Sequence, residues 1–414
     1  MKQFCSALLA AFWLSACAST HPAASASQAA ATNSKPPAAF DNVLRTALWQ
    51  DLHQYLVTRS VPEHISAIVM SVSLHGEPQN ITIGVGNWKL GPHAVTIAND
   101  SLWQIGSNTK AFTAAAILQL EAEGKLTIDQ TVGRWLPQYP AWKNVTIRRL
   151  LNMTSGIPGY DNAPAMLTDY AKNPQRNFTI PQLIAYVYPS NPRAPKPTKG
   201  YDYSNTNYLL AELIVERAGG AKYGDQLQRR FFQPLALSTT FYTATQYPPG
   251  IRVHMPAGYY FNHDPDSAGL APLLGHDVRA YSVSWMQGAG GIVSTPEELT
   301  RWARALYAGS VLAPKQRAEL TSIVSLKTGK PIATTSAQDP RGFGLGVAQM
   351  TTPETGTVWF YEGMTLGYRM VHVYFPKQDA VIAFGLNSQP DSKQNQSGKL
   401  AIAIYKTLHD AGRL

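Results

Sequence analysis

Segments with a strong β-strand pattern lie near the two ends of this chain and are scarce in its middle. Near the start, residues 65–74 and 81–88 are rich in β-branched and apolar residues, and the turn sequence HGEP joins them. Near the end, strand patterns recur at residues 343–350, 358–361, 368–375 and 380–386. Strands are stable only when they pair, so the two ends are predicted to meet in one sheet that begins with a hairpin.

The region between these strands reads as short helices and long loops. Clusters of Pro and Gly at residues 137–140, 189–200 and 247–275 are candidate walls of a binding site. We therefore predict an α+β protein whose sheet is built from residues 41–105 and 340–414, with a mostly helical insertion at 106–339. Apolar residues at helical spacing also predict helices at 43–56 and 400–409. The active site is expected at the junction of the two parts.

Composition excludes several classes of protein. The chain has 414 residues, of which 44% are hydrophobic and 15% charged, so it has enough apolar material to fold. Its net charge of +9 comes from scattered basic residues. A solvated basic surface explains this charge, with attraction to anionic envelope polymers or substrates as the alternative. No basic helix with interleaved aromatic residues occurs, and we expect no nucleic-acid partner.

The N-terminal segment has the pattern of an export signal. Lys2 precedes a short apolar run, and both cysteines, Cys5 and Cys17, lie within the first seventeen residues. The sequence LSAC at 14–17 resembles the lipobox of bacterial lipoproteins, which implies a signal peptide at 1–16 and lipid attachment at Cys17. Ordinary cleavage a few residues later is the alternative. Residues 17–40 are predicted to be a disordered tether, and by resemblance the protein is expected in the periplasm, anchored to the outer membrane.

A serine and a lysine share one turn at the start of an Ala-rich helix. The sequence IGSNTK at 105–110 leads into AFTAAAILQL, and the helix is predicted to end at Gly124. A spacing of three residues places Ser107 and Lys110 on one face, where the positive end of the helix dipole favours developing negative charge. This arrangement suits a serine nucleophile with a lysine beneath it. About one Ser-x-x-Lys is expected by chance in a chain this long, so an ordinary core helix is the alternative.

The neighbouring sequences carry a family resemblance. LWQIGSNTK at 102–110, EGKLTID at 123–129, LLNMTSGIP at 150–158 and GAGGIVST at 288–295 follow one another as in the penicillin-binding, class C β-lactamase-like serine hydrolases, which the chain resembles from about residue 65 to 386. The resemblance implies the β-lactamase-like fold and catalysis through an acyl-enzyme. It implies an oxyanion hole formed by the backbone N–H groups of Ser107 and Met364, and no metal or cofactor.

The resemblance also implies a Tyr-x-Asn motif, and three triplets have that spacing. They begin at Tyr160, Tyr203 and Tyr260. Only Tyr203 lies where polar residues can cap a following helix, so it is predicted to be the general base that takes the Ser107 proton. Asn205 is predicted to hydrogen-bond Lys110 or the substrate. The other two triplets are interpreted as turn or surface residues.

The third motif of the family is predicted at YEGM, residues 361–364, where relatives have Lys-Thr-Gly or His-x-Gly. The triplet KTG at 327–329 occurs in a loop-like stretch before the strands and is interpreted as accidental. Strand alternation places Tyr361 and Gly363 towards the pocket, with Gly363 leaving room for substrate backbone. A strand aromatic without a binding role is the alternative for Tyr361. A neutral tyrosine in place of a cation favours neutral esters or amides over carboxylate substrates.

These observations lead to an exported serine hydrolase acting on an ester, amide or lactam, with esters favoured. The alternatives are a β-lactamase or D-Ala-D-Ala carboxypeptidase or endopeptidase and, in another class, a slowly deacylating penicillin-binding sensor or peptidoglycan-binding lipoprotein. The substrate is expected to be a small molecule or to derive from peptidoglycan. The lipid anchor would be the only membrane contact. No other catalytic motif occurs, and His263-Asp264 and His276-Asp277 are interpreted as solvated loops.

Overall fold

The structure is a computed structural model that describes residues 43–92, 95–188, 200–309 and 311–414. The predicted signal peptide, Cys17 and the tether lie outside the described residues. Within the described residues, none of the helices has both the length and the apolar character needed to cross a membrane.

The centre of the fold is a nine-stranded antiparallel sheet with strand order β2-β1-β13-β12-β11-β10-β9-β7-β8. Its strands are β1 (Ala67–Ser73), β2 (Ile81–Gly86), β7 (Ile323–Ser325), β8 (Pro331–Ile332), β9 (Arg341–Phe343), β10 (Ala348–Thr352), β11 (Gly356–Met364), β12 (Arg369–Phe375) and β13 (Ala380–Leu386). The N-terminal hairpin joins the C-terminal strands where β1 pairs with β13, with Ile68 opposite Leu386. Every residue of β12 and β13 is buried, so both faces of the sheet are covered there.

Helices from distant parts of the sequence cover the sheet. The first helix, α1 (Val43–Glu63), packs against the last, α12 (Ser397–Asp410), and a third, α10 (Pro296–Ala308), packs across β1, β12 and β13. A fully buried ion pair joins Glu63, at the end of α1, to Arg369, at the start of β12, with 2.6 Å between Oε2 and Nη1. Asn395 also accepts a hydrogen bond from this guanidinium. A buried charge pair is stable only when its remaining groups are hydrogen-bonded, as they are here.

The central region is mostly helical, and one long helix is buried at its centre. Helix α2 (Thr109–Ala122) is buried along nearly all its length, and its Phe112 stacks on Trp302 with 3.6 Å between ring centroids. The other helices are α3 (Val132–Trp135), α4 (Ile147–Leu151), α5 (Pro164–Lys172), α6 (Ile180–Ala185), α7 (Thr206–Gly219), α8 (Tyr223–Leu227), α9 (Pro249–Arg252) and α11 (Pro314–Leu320).

Shorter elements complete this region. Two small sheets contain β3 (Trp103–Gln104), β4 (Phe241–Tyr242) and β6 (Ile292–Ser294), and β5 (Tyr259–Phe261) with β14 (Ser388–Pro390). A π-helical turn spans Gln228–Phe232, and 3₁₀ turns span Gly106–Asn108, Pro140–Trp142, Tyr160–Asn162, Pro265–Leu273 and Gln287–Ala289.

Two details of the predicted fold are wrong. The single strand predicted at 343–350 is two strands, because β9 ends at Phe343 and β10 begins at Ala348. Between them Gly346 has a φ of +77°, and a Cβ there would lie 2.7 Å from the carbonyl oxygen of Lys110. The break therefore allows the chain to contact α2. The predicted start of the C-terminal sheet at residue 340 is too late, since β7 and β8 already belong to the large sheet.

Candidate active site

Ser107 lies in a tight turn between β3 and α2. The turn is a 3₁₀ segment, Gly106–Asn108, and the α-helix begins only at Thr109. The prediction that Ser107 lies in the first turn of the α-helix is therefore wrong, because Ser107 lies in the 3₁₀ turn just before the helix. Ser107 retains 7% of its surface, whereas Lys110 is completely buried. This turn presents the serine hydroxyl at the edge of the protein interior and leaves the lysine beneath it.

Two glycines let this turn pack directly on β11. Gly106 has a φ of +51°, and a Cβ there would lie 2.7 Å from the carbonyl oxygen of Met364. A Cβ on Gly363 would lie 1.9 Å from the carbonyl oxygen of Ile105. The predicted role of Gly363, leaving room for substrate backbone, is therefore wrong. The space beside Gly363 is filled by the backbone of the Ser107 turn.

A buried hydrogen-bond network supports the turn from below. The Asn108 amide nitrogen donates to the carbonyl oxygens of Ile105 and Met370, at 2.8 and 2.9 Å. Its oxygen lies 2.7 Å from Nδ1 of His372, whose Nε2 lies 3.2 Å from the Tyr307 hydroxyl. Burial lowers the pKa of His372 to about 3, so the ring is neutral, donates from Nδ1 and accepts at Nε2.

The Ser107 hydroxyl is shared between a tyrosine and a lysine. Ser107 Oγ lies 2.8 Å from the Tyr203 hydroxyl and accepts a hydrogen bond from Lys110 Nζ at 2.9 Å. Lys110 also donates to the carbonyl oxygen of Ala289 at 2.7 Å. Its nitrogen lies 5.0 Å from the centroid of the Tyr203 ring, within the range of a cation–π interaction. The three residues selected from sequence therefore meet at one point.

Tyr203 is held by the segment 150–158, whose sequence indicated only a motif shared with the family. The sulfur of Met153 accepts a hydrogen bond from the Ser204 backbone at 3.4 Å, and the Met153 carbonyl accepts one from Asp202 at 2.8 Å. Met153 itself has a φ of +62°, an uncommon conformation for a residue with a side chain. Helix α7 then begins at Thr206, so Tyr203 lies at its N-terminal mouth as predicted.

The other two triplets have structural partners. Tyr160 is fully buried and donates to the carbonyl oxygen of Trp285. Tyr260 is buried in β5, where it pairs with Gln389 of β14. In the described structure it is Tyr203 whose hydroxyl contacts Ser107.

The turn that accepts the Lys110 hydrogen bond is clamped by two buried side chains. The Gly288 backbone N–H donates to Glu212 Oε2 at 2.6 Å, and the Gly288 carbonyl accepts from Thr113 Oγ1 at 2.7 Å. The Tyr242 hydroxyl donates to the other Glu212 oxygen at 2.8 Å. Burial raises the pKa of Glu212 to about 8, against the lowering effect of these hydrogen bonds. Glu212 was not predicted from sequence, where its only signal is an acidic residue in a helix of mostly apolar residues.

Asn205 does not make its predicted hydrogen bond to Lys110. Its amide nitrogen donates to Asp161 Oδ2 at 2.7 Å, and its oxygen has no hydrogen-bond partner among the described residues. Asp161 is only 5% exposed, and its Oδ1 also lacks a hydrogen-bond partner among the described residues. Burial raises the pKa of Asp161, while the Asn205 amide and the Lys110 charge lower it. Asp161 lies inside the triplet that begins at Tyr160, and its sequence carried no signal of this contact.

Tyr361 faces the reacting groups, and its neighbour in the strand faces away. The Tyr361 hydroxyl lies 3.4 Å from that of Tyr203, at the outer limit of a hydrogen bond. Glu362 is buried on the other side of β11, where Asn395 and Ser397 donate to it. Lys327 lies exposed in the turn between β7 and β8, as its loop-like sequence predicts.

The other polar groups singled out from sequence have ordinary partners. His263 lies 3.1 Å from Asp391, and His276 lies 2.6 Å from the Tyr281 hydroxyl. The part of the chain that the structure describes contains no group of three or more His, Cys, Asp or Glu residues placed to hold a metal ion.

The Ser107 hydroxyl is shared by a tyrosine and a buried lysine at a junction of sheet and helices. This arrangement defines a site of the serine acyl-transfer class. Residues 61–406 match the family described as Beta-lactamase. Since this match covers most of the chain, the protein belongs to that family, and its class is that of the serine hydrolases of the β-lactamase and penicillin-binding superfamily.

Three known proteins are similar to this chain in sequence or in structure. Penicillin-binding protein 4* of Bacillus subtilis (strain 168) is 27% identical over 303 residues, covering 73% of this chain and 64% of that protein. The D-amino acid amidase from Ochrobactrum anthropi SV3, complexed with D-phenylalanine, has a TM-score of 0.74 at 20% identity and covers 89% of this chain and 100% of that chain. The β-lactamase/D-alanine carboxypeptidase from Pseudomonas syringae has a TM-score of 0.65 at 18% identity, and the match covers 88% of this chain and 99% of that chain. These two likenesses show the fold.

Proposed function

We propose that this protein hydrolyses neutral esters or amides through an acyl-enzyme formed on Ser107. The observation that carries the proposal is the position of Ser107 Oγ, 2.8 Å from the Tyr203 hydroxyl and 2.9 Å from Lys110 Nζ. One hydroxyl thus has a candidate base and a fixed cation within hydrogen-bond distance, which is the geometry of an activated nucleophile.

Tyr203 is the proposed general base. Its phenolate takes the Ser107 proton as Oγ bonds to the substrate carbonyl carbon, and the tyrosine then gives that proton to the leaving oxygen or nitrogen as the bond breaks. Water reverses the sequence: it loses a proton to Tyr203 as it attacks the acyl carbon. Tyr203 then returns that proton to Ser107 Oγ as the bond between Oγ and the acyl carbon breaks and the acid is released. The Lys110 ammonium, held by the Ala289 carbonyl, lowers the cost of the phenolate.

The proposed oxyanion hole consists of the backbone N–H groups of Ser107 and Met364. Its support is the packing of the turn on β11, where a Cβ on Gly106 would lie only 2.8 Å from the Met364 nitrogen. Both groups belong to backbone that is fixed before substrate binds, and preorganised donors stabilise a developing oxyanion most effectively.

Tyr361 is the proposed reason for a preference for neutral substrates. Its hydroxyl lies beside that of Tyr203, in the strand position where a cation would pair with a substrate carboxylate. A neutral hydroxyl forms a weaker hydrogen bond with a carboxylate than a cation does. Among the named activities of the relatives, D-amino acid amidase agrees with a neutral amide substrate. Penicillin binding and D-alanine carboxypeptidase make penicillins and D-Ala-D-Ala peptides the competing substrates.

Export and lipid attachment at Cys17 are part of the proposal and rest on the N-terminal sequence. They would place the site in the periplasm, where peptidoglycan-derived substrates occur. Metabolic labelling with a fatty acid, compared between the wild type and Cys17→Ala, tests the anchor directly.

One screen tests the catalytic proposal. Purified protein is assayed on p-nitrophenyl esters, an amino-acid anilide, a chromogenic cephalosporin and a D-Ala-D-Ala peptide, each compared with Ser107→Ala. The expected result is Ser107-dependent turnover of the ester or anilide that exceeds turnover of the two carboxylate substrates. Stoichiometric acylation without turnover would instead indicate a penicillin-binding sensor, and mass spectrometry over time distinguishes the two.

A further inference from the structure

The two N–H groups of the proposed oxyanion hole belong to segments that are far apart in the sequence. Ser107 lies in the turn before α2, and Met364 is the last residue of β11. A developing oxyanion is stabilised most when its donors lie about 3 Å from it, so the distance between the two segments must be fixed. Glycines at 106 and 363 let the segments touch. Apolar packing is non-directional, so a hydrogen-bonded link would hold this distance better than contact alone.

The Asn108 side chain supplies such a link. Its amide nitrogen donates to the Ile105 carbonyl, within the turn, and to the Met370 carbonyl on β12, at 2.8 and 2.9 Å. Met370 lies opposite Gly363 in the pairing of β11 with β12. A Cβ on Gly363 would lie 2.7 Å from the Asn108 amide nitrogen and 2.8 Å from the Ser107 backbone nitrogen. One amide group therefore joins the turn that carries one donor to the sheet at the end of β11, which carries the other.

His372 holds this amide in the orientation that the link requires. The Asn108 oxygen lies 2.7 Å from His372 Nδ1, and His372 Nε2 lies 3.2 Å from the Tyr307 hydroxyl. Burial lowers the pKa of His372 to about 3, so at neutral pH the ring is uncharged and its Nδ1–H donates to the Asn108 oxygen. A reversed amide would place its N–H groups against this donor and its oxygen against two carbonyls. Every contact of the reversed amide would be repulsive, which excludes that orientation.

We propose that Asn108 is a positioning residue that sets the separation of the two oxyanion-hole donors by tying the Ser107 turn to β12. His372 acts through Asn108. The inference rests on the proposed hydrolase function and adds to it two residues that are buried, at 1% and 2% exposure, beneath the reacting groups. Loss of the link should weaken stabilisation of the tetrahedral intermediate and leave substrate binding largely intact. Removal of one oxyanion-hole donor costs about 100-fold to 1,000-fold in kcat, and a displaced donor is expected to cost about 10-fold to 100-fold.

The test uses two variants of His372 whose new side chains have nearly the same volume. His372→Asn can place an amide N–H where Nδ1–H was, so it keeps the hydrogen bond to Asn108, whereas His372→Leu leaves the Asn108 oxygen unpaired. Asn108→Leu removes the link itself. The matched control is Asn80→Leu, because the Asn80 amide also joins two elements, with hydrogen bonds to Ser71 in β1 and Thr300 in α10.

The measured quantities are kcat, KM and the inhibition constant of phenylboronic acid. The substrate is the p-nitrophenyl ester that the wild type hydrolyses best, and rates are expressed per active site after titration with a fluorophosphonate. Phenylboronic acid reports on the oxyanion hole directly. Ser107 Oγ bonds to its boron atom as the hydroxyl proton moves to Tyr203, and the resulting tetrahedral anion places an oxygen in the hole.

Asn108→Leu and His372→Leu are expected to lower kcat by about 10-fold to 100-fold and to keep KM within about three-fold of the wild type. The inhibition constant of phenylboronic acid should rise by a factor similar to the loss in kcat. His372→Asn should recover most of the activity that His372→Leu loses. Asn80→Leu is expected to lower the free energy of unfolding and to keep the wild-type kcat and inhibition constant, since the link between turn and sheet is intact.

Two results would overturn the inference. Wild-type kcat and inhibition constant in folded Asn108→Leu would show that the link does not position the donors. Equal losses in His372→Asn and His372→Leu would show that the volume of the histidine matters and its hydrogen bond does not, and this comparison holds even if Asn108→Leu does not fold. Failure of the proposed function has a different signature, because the wild type itself would then show neither Ser107-dependent ester hydrolysis nor binding of phenylboronic acid at Ser107.

Discussion

Replacement of Glu212 by glutamine should stabilise the protein in a pH-dependent manner. Glu212 is buried and accepts hydrogen bonds from the Gly288 backbone and from Tyr242. Glutamine has nearly the same shape, and it can accept from Gly288 with its oxygen and donate to Tyr242 with its nitrogen. The variant therefore keeps the packing and removes only the ionisable proton.

The magnitude follows from the change in pKa between the unfolded and folded states. Burial raises the pKa of Glu212 from a reference value of 4.5 to about 8, so the folded state binds the proton more tightly. The free energy of unfolding of the wild type consequently falls as pH rises from about 4.5 to about 8, and this loss is complete above that range. Each pKa unit corresponds to about 1.4 kcal/mol, which gives about 3–5 kcal/mol for this residue.

Glu212→Gln should thus match the wild type below about pH 3.5, where the carboxyl is neutral in both states, and exceed its stability by about 3–5 kcal/mol above pH 8. Urea unfolding of both proteins across this range measures the difference, and other titrating groups cancel because both proteins contain them. The control is Glu297→Gln, at an exposed position on α10, which should show little change. A constant difference between Glu212→Gln and the wild type at all pH values would refute the reasoning.

Three further predictions concern the site. Tyr203→Phe should keep substrate binding but lose about 100-fold or more in kcat, because the proton acceptor is removed. Its matched control is Tyr160→Phe. A larger loss of kcat in the control, without unfolding, would mean that the base is wrongly assigned. Tyr361→Lys should raise kcat/KM for carboxylate substrates relative to neutral esters, and an unchanged ratio would contradict the role given to Tyr361. Lys327→Ala should retain activity within about two-fold, since this side chain is exposed in a turn; an active-site titration would reveal any loss that is not caused by unfolding.

Much of the site could be predicted because its signals are local. Ser107 and Lys110 are three residues apart, so the start of a helix is enough to place them together. The polar residues around Tyr203 predicted a helix start, and α7 begins within three residues of it. Tyr361 was found because strand alternation fixes which side chains share a face. The strand patterns likewise predicted an α+β fold whose sheet is built from both ends of the chain, because strands such as β12 and β13 are buried on both faces and correspondingly apolar.

Other parts of the site could not be predicted, because they depend on how distant segments pack. The hydrogen bond between Lys110 and the Ala289 carbonyl joins residues 179 positions apart, and nothing in either local sequence specifies that contact. The role predicted for Gly363 was wrong for the same reason, since the space beside it is occupied by the backbone of Ile105. The hydrogen bond predicted between Asn205 and Lys110 is also absent, because Asp161, from a separate turn, accepts from the Asn205 amide.

The sequence by itself determined most of the helices and strands, the proximity of Ser107 and Lys110, and the family, because each of these depends on short stretches of the chain. Tertiary structure alone decided which atoms surround Ser107: the Tyr203 hydroxyl from 96 positions away, the turn held by Glu212, and the orientation of Asn205. The physical reason is that hydrogen bonds require separations of about 3 Å. Only the packing of sheet and helices brings groups from distant segments to such separations.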